Sequence, residues 1–443
     1  MRRCLWAFLF LSGVLAQQSS FEVGFEQRIR NENFNNILDY AGELDDEREQ
    51  VRYRTRAWVR APLGSSIDLF AGLNQETCQR MGKVNRFDEV LFESAYLDFK
   101  RLFVPGLALR VGRQNLTKGE GFLIFEGTPG DGSRSIYFNA ADLSYSRGKT
   151  RLELIGILNP SRDRMLPRIH DQRKQLQDWD ERALGLYVTE NRWKNTAVEA
   201  YYFYKRETGD VRPRSNPQFQ PDRYVHAAGG RVVERINPRW SVTAEWAREW
   251  GGQRPAAAIS AYGGYAYLKR TFARPWTPYV QGGYWVFSGD DPSTPGTVEG
   301  WDPLFSRWPK WSELYLYSLA REGGAGYWSN LGMWQGEIGF TPRKPLGLRL
   351  TWYRMRAFHP YPGDPQVFGK GTGRGDNVQA RFDFSAGRNW KGHVLYEAQL
   401  PGSFYARRGL GYFLRFELTY SIQASLVAQA VPRAQGRPNG LLH

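Results

Sequence analysis

Residues Asn377 to Ala386 read N-V-Q-A-R-F-D-F-S-A, an alternation of polar and apolar side chains. In an extended strand successive side chains point to opposite faces, so Val378, Ala380, Phe382 and Phe384 share one face while Gln379, Arg381 and Asp383 share the other. One such segment is a strand of any half-buried sheet. Here the pattern recurs along nearly the whole chain, separated alternately by tight Gly/Pro/Asn turns and by mostly longer connections. That asymmetry predicts an all-β chain: a single transmembrane antiparallel β-barrel with short periplasmic turns and long extracellular loops.

Outward from this segment, about eighteen strands are legible. Gly375 to Ala386 turns at Gly387-Arg388-Asn389 into Trp390 to Leu400, and Gly411 to Gln423 is the last strand. Upstream, the first nine are Phe21 to Arg30, Val51 to Ala61, Ser66 to Asn74, Glu89 to Arg101, Leu107 to Gln114, Ser133 to Ser146, Arg151 to Asn159, Arg182 to Glu190 and Ala197 to Arg206. Arg223 to Ile236, Trp240 to Trp250, Ala257 to Phe272, Trp276 to Ser288, Ala325 to Thr341 and Leu346 to Phe358 follow. Spanning strands need about 9–11 tilted residues, which these lengths supply. An even count returns both ends to the periplasmic side.

The start of the chain fits that address. Met1-Arg2-Arg3 is a basic n-region, Leu5 to Leu15 an apolar h-region, and Val14-Leu15-Ala16 a small-residue cleavage site. The expected organisation is a signal peptide at 1–16, a barrel at 17–425 and a C-terminal periplasmic tail at 426–443. Cys4 would leave with the signal. Cys78 remains as a single thiol, read here as an incidental loop residue, and a lone thiol excludes a disulfide-stapled scaffold.

Composition narrows the class further. No later apolar run is long enough for a spanning helix, and mean hydropathy is −0.56. Aromatic residues make up 15% of the chain, with 16 Trp and 24 Tyr, which suits girdles at two membrane interfaces. Net charge is +15, or +13 once Arg2 and Arg3 are removed. In an exported β-rich protein that excess points to an anionic solute or glycan rather than to nucleic acid.

Alternation then sorts the charges by face. Val51, Tyr53, Thr55, Ala57 and Val59 share one face of their strand, and Arg52, Arg54 and Arg56 share the other. An arginine facing mid-bilayer lipid costs about 2–4 kcal/mol in a barrel, so this row is assigned to the lumen. The same logic turns Arg110, Arg349, Arg381 and Arg415 inward, interleaved with Asp98, Asp142, Glu153, Glu337, Asp383 and Glu417. Such a set would either brace the interior with salt bridges or offer guanidinium groups to passing carboxylates. The long connections Asn115 to Gly132 and Gly289 to Glu322 are the candidates for inward-folded gates.

Other chemistry finds little support. The chain has five His, and His170 sits in a long connection without a nucleophile constellation. Gly369 to Gly375 links no strand to a helix, so it is no phosphate loop. Asp45-Asp46-Glu47 and Asp290-Asp291 carry calcium-type oxygens without an organised ligand spacing. No enzyme, no metal site and no cofactor is expected.

One stretch is more specific. Val111-Gly112-Arg113-Gln114, then Gly119-Glu120-Gly121-Phe122-Leu123-Ile124 and Asp131-Gly132-Ser133-Arg134, resembles the alginate-export porin family. Arg52-Tyr53-Arg54-Thr55-Arg56 and Ala95-Tyr96-Leu97-Asp98 resemble that family's second and fourth strands, and the likeness is most specific over Val51 to Tyr145. The resemblance implies eighteen strands and a monomeric outer-membrane channel in a Gram-negative-type bacterium. Its electropositive, arginine-lined constriction would pass an anionic polyuronate outward by facilitated diffusion. It also implies gating loops or turns and a periplasmic helical-repeat lipoprotein as partner. Carried over by position, Arg54 and Arg56 would line the track, with Arg110, Arg113 and Arg134 at the motif that follows. Simple alternation from Leu107 places Arg113 outward, so either a bulge at Gly112 reverses the phase or Arg113 lies beyond the membrane. The alternative function is a general or small-anion-selective porin.

Overall fold

The structure is a computed structural model that describes residues 20–42, 47–82, 87–125, 137–167, 169–170, 180–208, 222–254, 257–306, 310–324 and 326–427. The signal segment, Arg134, Asp45, Asp46 and the tail beyond Val427 lie outside these residues. Eighteen long strands run in chain order. They are β1 Ser20–Asn35, β2 Arg48–Pro62, β3 Ile67–Arg80, β4 Phe87–Phe99, β5 Leu107–Gln114, β6 Phe138–Arg147, β7 Thr150–Asn159, β8 Asp180–Glu190 and β9 Thr196–Thr208. The second half comprises β10 Arg223–Asn237, β11 Trp240–Gln253, β12 Ala257–Thr271, β13 Tyr279–Phe287, β14 Leu331–Arg343, β15 Leu346–Arg356, β16 Gly373–Ala386, β17 Trp390–Pro401 and β18 Gly411–Val427. A two-residue strand, Thr297–Val298, pairs in parallel with β12.

Each long strand pairs antiparallel with its chain neighbours. β1 closes the ring on β18, from Ser20 opposite Val427 to Asn35 opposite Tyr412. Closure satisfies every ladder without an edge, which is what a sheet immersed in hydrocarbon requires. No described helix is long and apolar enough to cross a membrane. On β11, Trp240 and Trp250 stand ten residues apart, about 33 Å along the strand and about 25 Å along the normal at a tilt of about 40°. That is the height of the apolar band of a membrane barrel.

The outward face is apolar where alternation predicts. Ile29, Tyr53, Leu184, Leu186, Leu350, Phe382 and Phe416 are exposed on the outer wall, while Arg28, Arg30, Arg52, Arg54, Tyr187 and Arg415 beside them turn inward and are covered. Several strands run past their expected loop-side ends. β3 continues from Asn74 to Arg80, so Cys78 is not a loop residue but a buried strand residue beside Gln50. The extension Gln75-Glu76-Thr77-Cys78-Gln79-Arg80 lacks apolar alternation because this part of the wall stands clear of lipid. Toward the turn end the reverse happens at β13. Trp276 and Thr277 adopt positive φ (67° and 38°) between Pro275 and Pro278, so the turn reaches to Pro278 and the strand starts at Tyr279.

The interior is filled. The connection after β13, residues 288–330, enters the barrel and carries a five-residue helix, α1 Tyr315–Leu319. Trp301, Leu304, Leu314, Tyr315 and Trp328 on it are fully buried. The connection after β5 enters too, with Phe122 and Ile124 buried against the first. Tyr327 and Trp328, expected in a strand, belong to this plug instead.

Candidate functional site: the barrel lumen

The arginine row of β2 faces inward as its alternation requires. Arg52 and Arg54 are 5% and 4% exposed, against 39% for Tyr53 between them. Across the ladder Arg52 stands directly opposite Arg30, and Arg54 opposite Arg28, an unfavourable pairing unless carboxylates intervene. They do. Glu32 takes Arg52 at 3.1 Å and Arg415 at 2.6 Å, Glu26 takes Arg54 at 3.0 Å, and Glu417 takes Arg30 at 2.5 Å. Arg56 donates from Nε to Glu93 at 2.8 Å. Glu93 is the extra residue of a bulge, since Gly72 faces Ser94 and Leu73 faces Phe92. The inward faces of β18, β1 and β2 thus form a buried lattice of alternating sign.

The other sequence-assigned charges distribute around the wall. Arg110 holds Asp98 at 2.8 Å with its guanidinium over Tyr96. Lys118, on the connection after β5, lies 2.8 Å from Glu153 and 3.8 Å from Asp142. Arg415 also reaches Glu313 of the plug at 2.8 Å. Arg381 pairs with Asp383 at 2.9 Å, and Glu337 accepts from Tyr279 at 2.8 Å with Arg349 at 4.0 Å. The Arg349 side chain stays 45% exposed near the turn end.

Arg113 departs from simple alternation. Gly112 has φ of +128°, and a Cβ there would sit 2.3 Å from the Ala95 carbonyl oxygen, so only glycine suits the position. The ladder keeps its register through this kink. Arg113 is 2% exposed at the loop-side end of β5, donating to the Phe92 carbonyl at 2.9 Å and to both Asp163 oxygens at 2.8 and 2.6 Å. Burial raises the Asp163 carboxyl, and the bonds and charge of Arg113 more than reverse that, holding it below its ordinary value. Arg113 therefore ties the strand end to the connection after β7.

The two inward connections brace each other and the wall. Ile124 bridges to Phe305, the Phe305 N–H donates to the Leu123 carbonyl at 3.0 Å, and Phe122 stacks on Trp301 at 5.1 Å. Arg374 of β16 holds Glu322 through two bonds of 2.7 Å, and Lys205 of β9 donates to the Leu304 carbonyl at 2.8 Å. Arg223 of β10 meets Asp302 at 2.6 Å. On β17, Glu397 accepts the Glu313 and Leu314 N–H groups at 2.9 and 3.2 Å. The Leu304 carbonyl and the Glu313 and Leu314 N–H groups of the plug thus find wall partners, as desolvated backbone groups must.

At the tip, Gly119 and Gly121 with φ of +55° and +76° turn Glu120 toward the open part of the lumen. Its carboxylate accepts from Arg231 at 3.1 Å and Tyr267 at 2.5 Å. Lys310, from the other connection, donates to the Glu120 carbonyl oxygen. Burial drives the Lys310 ammonium down to about 8, with Glu120 and Glu245 opposing and Arg231 reinforcing the shift.

Beneath this roof lies a cavity of about 700 Å³. Glu120, Phe125 and Lys310 cap it, and Lys344, Arg381, Lys391 and Gly347 place its mouth at the turn end. Four cations, Lys310, Lys344, Arg381 and Lys391, face three carboxylates, Glu120, Asp383 and Glu417. All three carboxylates are already held, Glu120 by Arg231, Glu417 by Arg30 and Asp383 by the chamber's own Arg381. Lys391 is 64% exposed, with Glu26 no nearer than 3.9 Å. The chamber is a basic recess wide enough for a drug-sized ligand.

Sequence reading named Arg381, Asp383 and Glu417 of this chamber and missed Glu120, Lys310, Lys344 and Lys391. Glu120 lay inside a quoted motif but was not assigned a face. Lys344 and Lys391 flank tight turns, where no strand alternation marks them. Asp290 and Asp291 serve their own connection, accepting from the Glu299 and Ser293 N–H groups, and the described residues contain no cluster suited to a metal.

A family model described as alginate export matches residues 20–361. Comparison with curated proteins gives no match. Among solved structures, Pseudomonas aeruginosa OccK3 (OpdO) is similar with a TM-score of 0.58 at 10% identity, covering 91% of this chain and 96% of its own. Acinetobacter baumannii OccAB4 gives 0.58 at 10%, covering 92% and 99%. Pseudomonas aeruginosa OccK2 (OpdF), in complex with glucuronate, gives 0.57 at 10%, covering 91% and 98%. At such identity these three speak to fold alone.

Proposed function

Because the chain belongs to the alginate export family, we propose that this outer-membrane β-barrel carries an alginate-like polyuronate by facilitated diffusion through a basic lumen. The observation that supports this reading best is the turn-end chamber. Its cations outnumber its carboxylates; Arg231 and Arg30 from outside it neutralise two of these and Arg381 the third, leaving Lys310, Lys344 and Lys391 in excess. A polyuronate presents one carboxylate per sugar, and guanidinium and ammonium groups hold such anions by charge-assisted bonds that exchange readily in water. OccK2, a barrel of similar fold, has been solved with glucuronate, a single uronate unit.

In this account the arginines divide their work. Arg52, Arg54, Arg56 and Arg415 are struts of the wall, saturated by Glu26, Glu32, Glu93 and Glu313. Arg349, Arg381, Lys344 and Lys391 are the groups that meet the solute. The paired connections form a plug that must shift for a polymer to pass. Flux is outward, the barrel works as a monomer, and a periplasmic helical-repeat lipoprotein feeds the chamber.

A second reading, a small-anion porin, is favoured by the plug itself. Phe122, Trp301 and Trp328 fill the lumen above the chamber, and only small solutes would thread past them without a rearrangement.

Charge reversal tests the chamber. Arg381→Glu combined with Lys391→Glu should move the reversal potential in a salt gradient toward cation selectivity while heat-modifiable folding persists. Unchanged selectivity in the folded double variant contradicts the assignment.

A further inference from the structure

The outer wall of β8 to β11 carries charge where a membrane barrel ordinarily avoids it. Arg182 shares its outward face with Leu184 and Leu186, which are 54% and 42% exposed. Directly across the ladder from it stands Arg206, on the face of Tyr202 and Tyr204. Arg248 lies outward between Trp246 and Trp250, while Ala247 and Glu249 beside it are wholly buried inward. These side chains point away from the lumen and cannot serve a solute within it.

Their partners are few. Arg206 and Arg254 share one carboxylate, Asp222, at 3.3 and 3.7 Å. Asp180, two residues from Arg182 on the same face and within reach of its charge, is taken by Arg164 at 3.3 Å and by the Ser161 N–H at 2.6 Å. Among the described residues Arg248 donates to the Ser260 hydroxyl, at 2.5 Å. Among the described residues, no carboxylate lies within ion-pair distance of Arg182 or Arg248. Like charges set directly opposite in a ladder repel, so the Arg182–Arg206 pair invites an anion from outside the chain.

Between Arg182 and Arg206 on one side and Arg248 on the other lies an aromatic shelf. His226 stacks on Trp250 with ring centres 5.4 Å apart and planes 7° apart, and its Nδ1 is 2.7 Å from the Tyr202 hydroxyl. Tyr204 packs against the same ring at 5.0 Å. Trp250 marks the loop-side rim of the apolar band; Arg206, level with Gly252 through Tyr224, lies beyond it, and Arg248, one pair inside it, reaches up to Ser260 opposite Trp250, so the guanidinium groups gather toward headgroup level. Amphipathic rings favour the same level.

We propose that this wall binds the phosphorylated sugar headgroup of an outer-leaflet glycolipid. Phosphate oxygens fit guanidinium forks bidentately, and the flat Trp250–His226 face receives the sugar ring. The acyl chains then lie along Leu184 and Leu186. The site is independent of what passes through the lumen.

Native mass spectrometry of the detergent-solubilised barrel tests this with a bisphosphorylated acylated diglucosamine and the same lipid after phosphatase treatment. The wild-type barrel should retain the phosphorylated form at least about tenfold better, and R182Q/R206Q/R248Q should lose that preference. Heat-modifiable migration and unchanged ion conductance report that the variant is folded. Should it fail to insert, R248Q alone with the two lipids gives the same comparison. Equal retention of the two lipids by the wild type, or a folded triple variant that keeps the preference, overturns the proposal.

Discussion

Glu32 on the first strand and Arg415 on the last meet at 2.6 Å with neither side chain exposed, joining the two ends of the chain at the seam of the barrel. Glu32 also holds Arg52 at 3.1 Å, and Arg415 also holds Glu313 of the plug at 2.8 Å. One carboxylate therefore ties the seam to the wall and, through Arg415, to the plug.

Removing that carboxylate should be costly. Glu32→Ala takes a partner from three buried guanidinium groups, Arg30, Arg52 and Arg415, a loss of about 3–5 kcal/mol for a broken buried pair. Lys391→Ala, whose side chain is largely exposed, should change stability by less than about 1 kcal/mol. Urea unfolding in detergent, followed by heat-modifiable migration, reads both. Equal midpoints for the two variants would contradict the strut role.

Lys310 gives the lumen a pH response. Its pKa falls from an ordinary 10.5 to about 8, so the folded barrel loses this proton before the unfolded chain does. Between about pH 8 and pH 10.5 the unfolded state binds more protons, and stability rises with pH over that window. Below pH 8 both states are charged and the penalty is constant. The chamber loses a positive charge over the same rise, so anion selectivity should decline through about pH 8. Lys310→Arg should remove the step, because guanidinium stays protonated. A selectivity curve identical for both proteins would show that Lys310 does not face the permeating ion.

Glu322 and Arg374 pin the plug to β16 through two bonds of 2.7 Å. Glu322→Gln weakens that clamp while keeping its shape, and single-channel recordings should show larger or more frequent openings. A conductance trace matching the wild type would place the moving part elsewhere.

The wall was legible in the sequence because lipid enforces period two on it. Arg52, Arg54 and Arg56 alternate with Val51, Tyr53 and Thr55, and each turned to its expected side. Where lipid makes no demand, the pattern faded. The polar end of β3 beyond Asn74 read as a connection, and Cys78 with it. Local features hid other residues: Arg113 is covered at the loop-side end of β5 by the connection that carries Asp163, and the bulge placed Glu93 against Arg56. The plug was anticipated as a pair of long connections, but its partners were not. Arg374 and Glu322 lie 52 residues apart, and Lys205 and Leu304 lie 99 apart, so no local period joins them. Lys344 lies in a turn and Lys391 beside one, and it is the closing of the ring that sets them around one chamber.

The central claim is that the chamber of Lys344, Arg381 and Lys391 receives a polyuronate. The direct measurement is the current through single barrels in a planar bilayer, with polyuronate oligomers or neutral glycans of equal length added on the periplasmic side. The account predicts an anion-selective current that uronate oligomers block and neutral glycans leave unchanged, with the block weakened by Lys391→Glu. A current indifferent to uronates, or blocked equally by neutral chains, would contradict it.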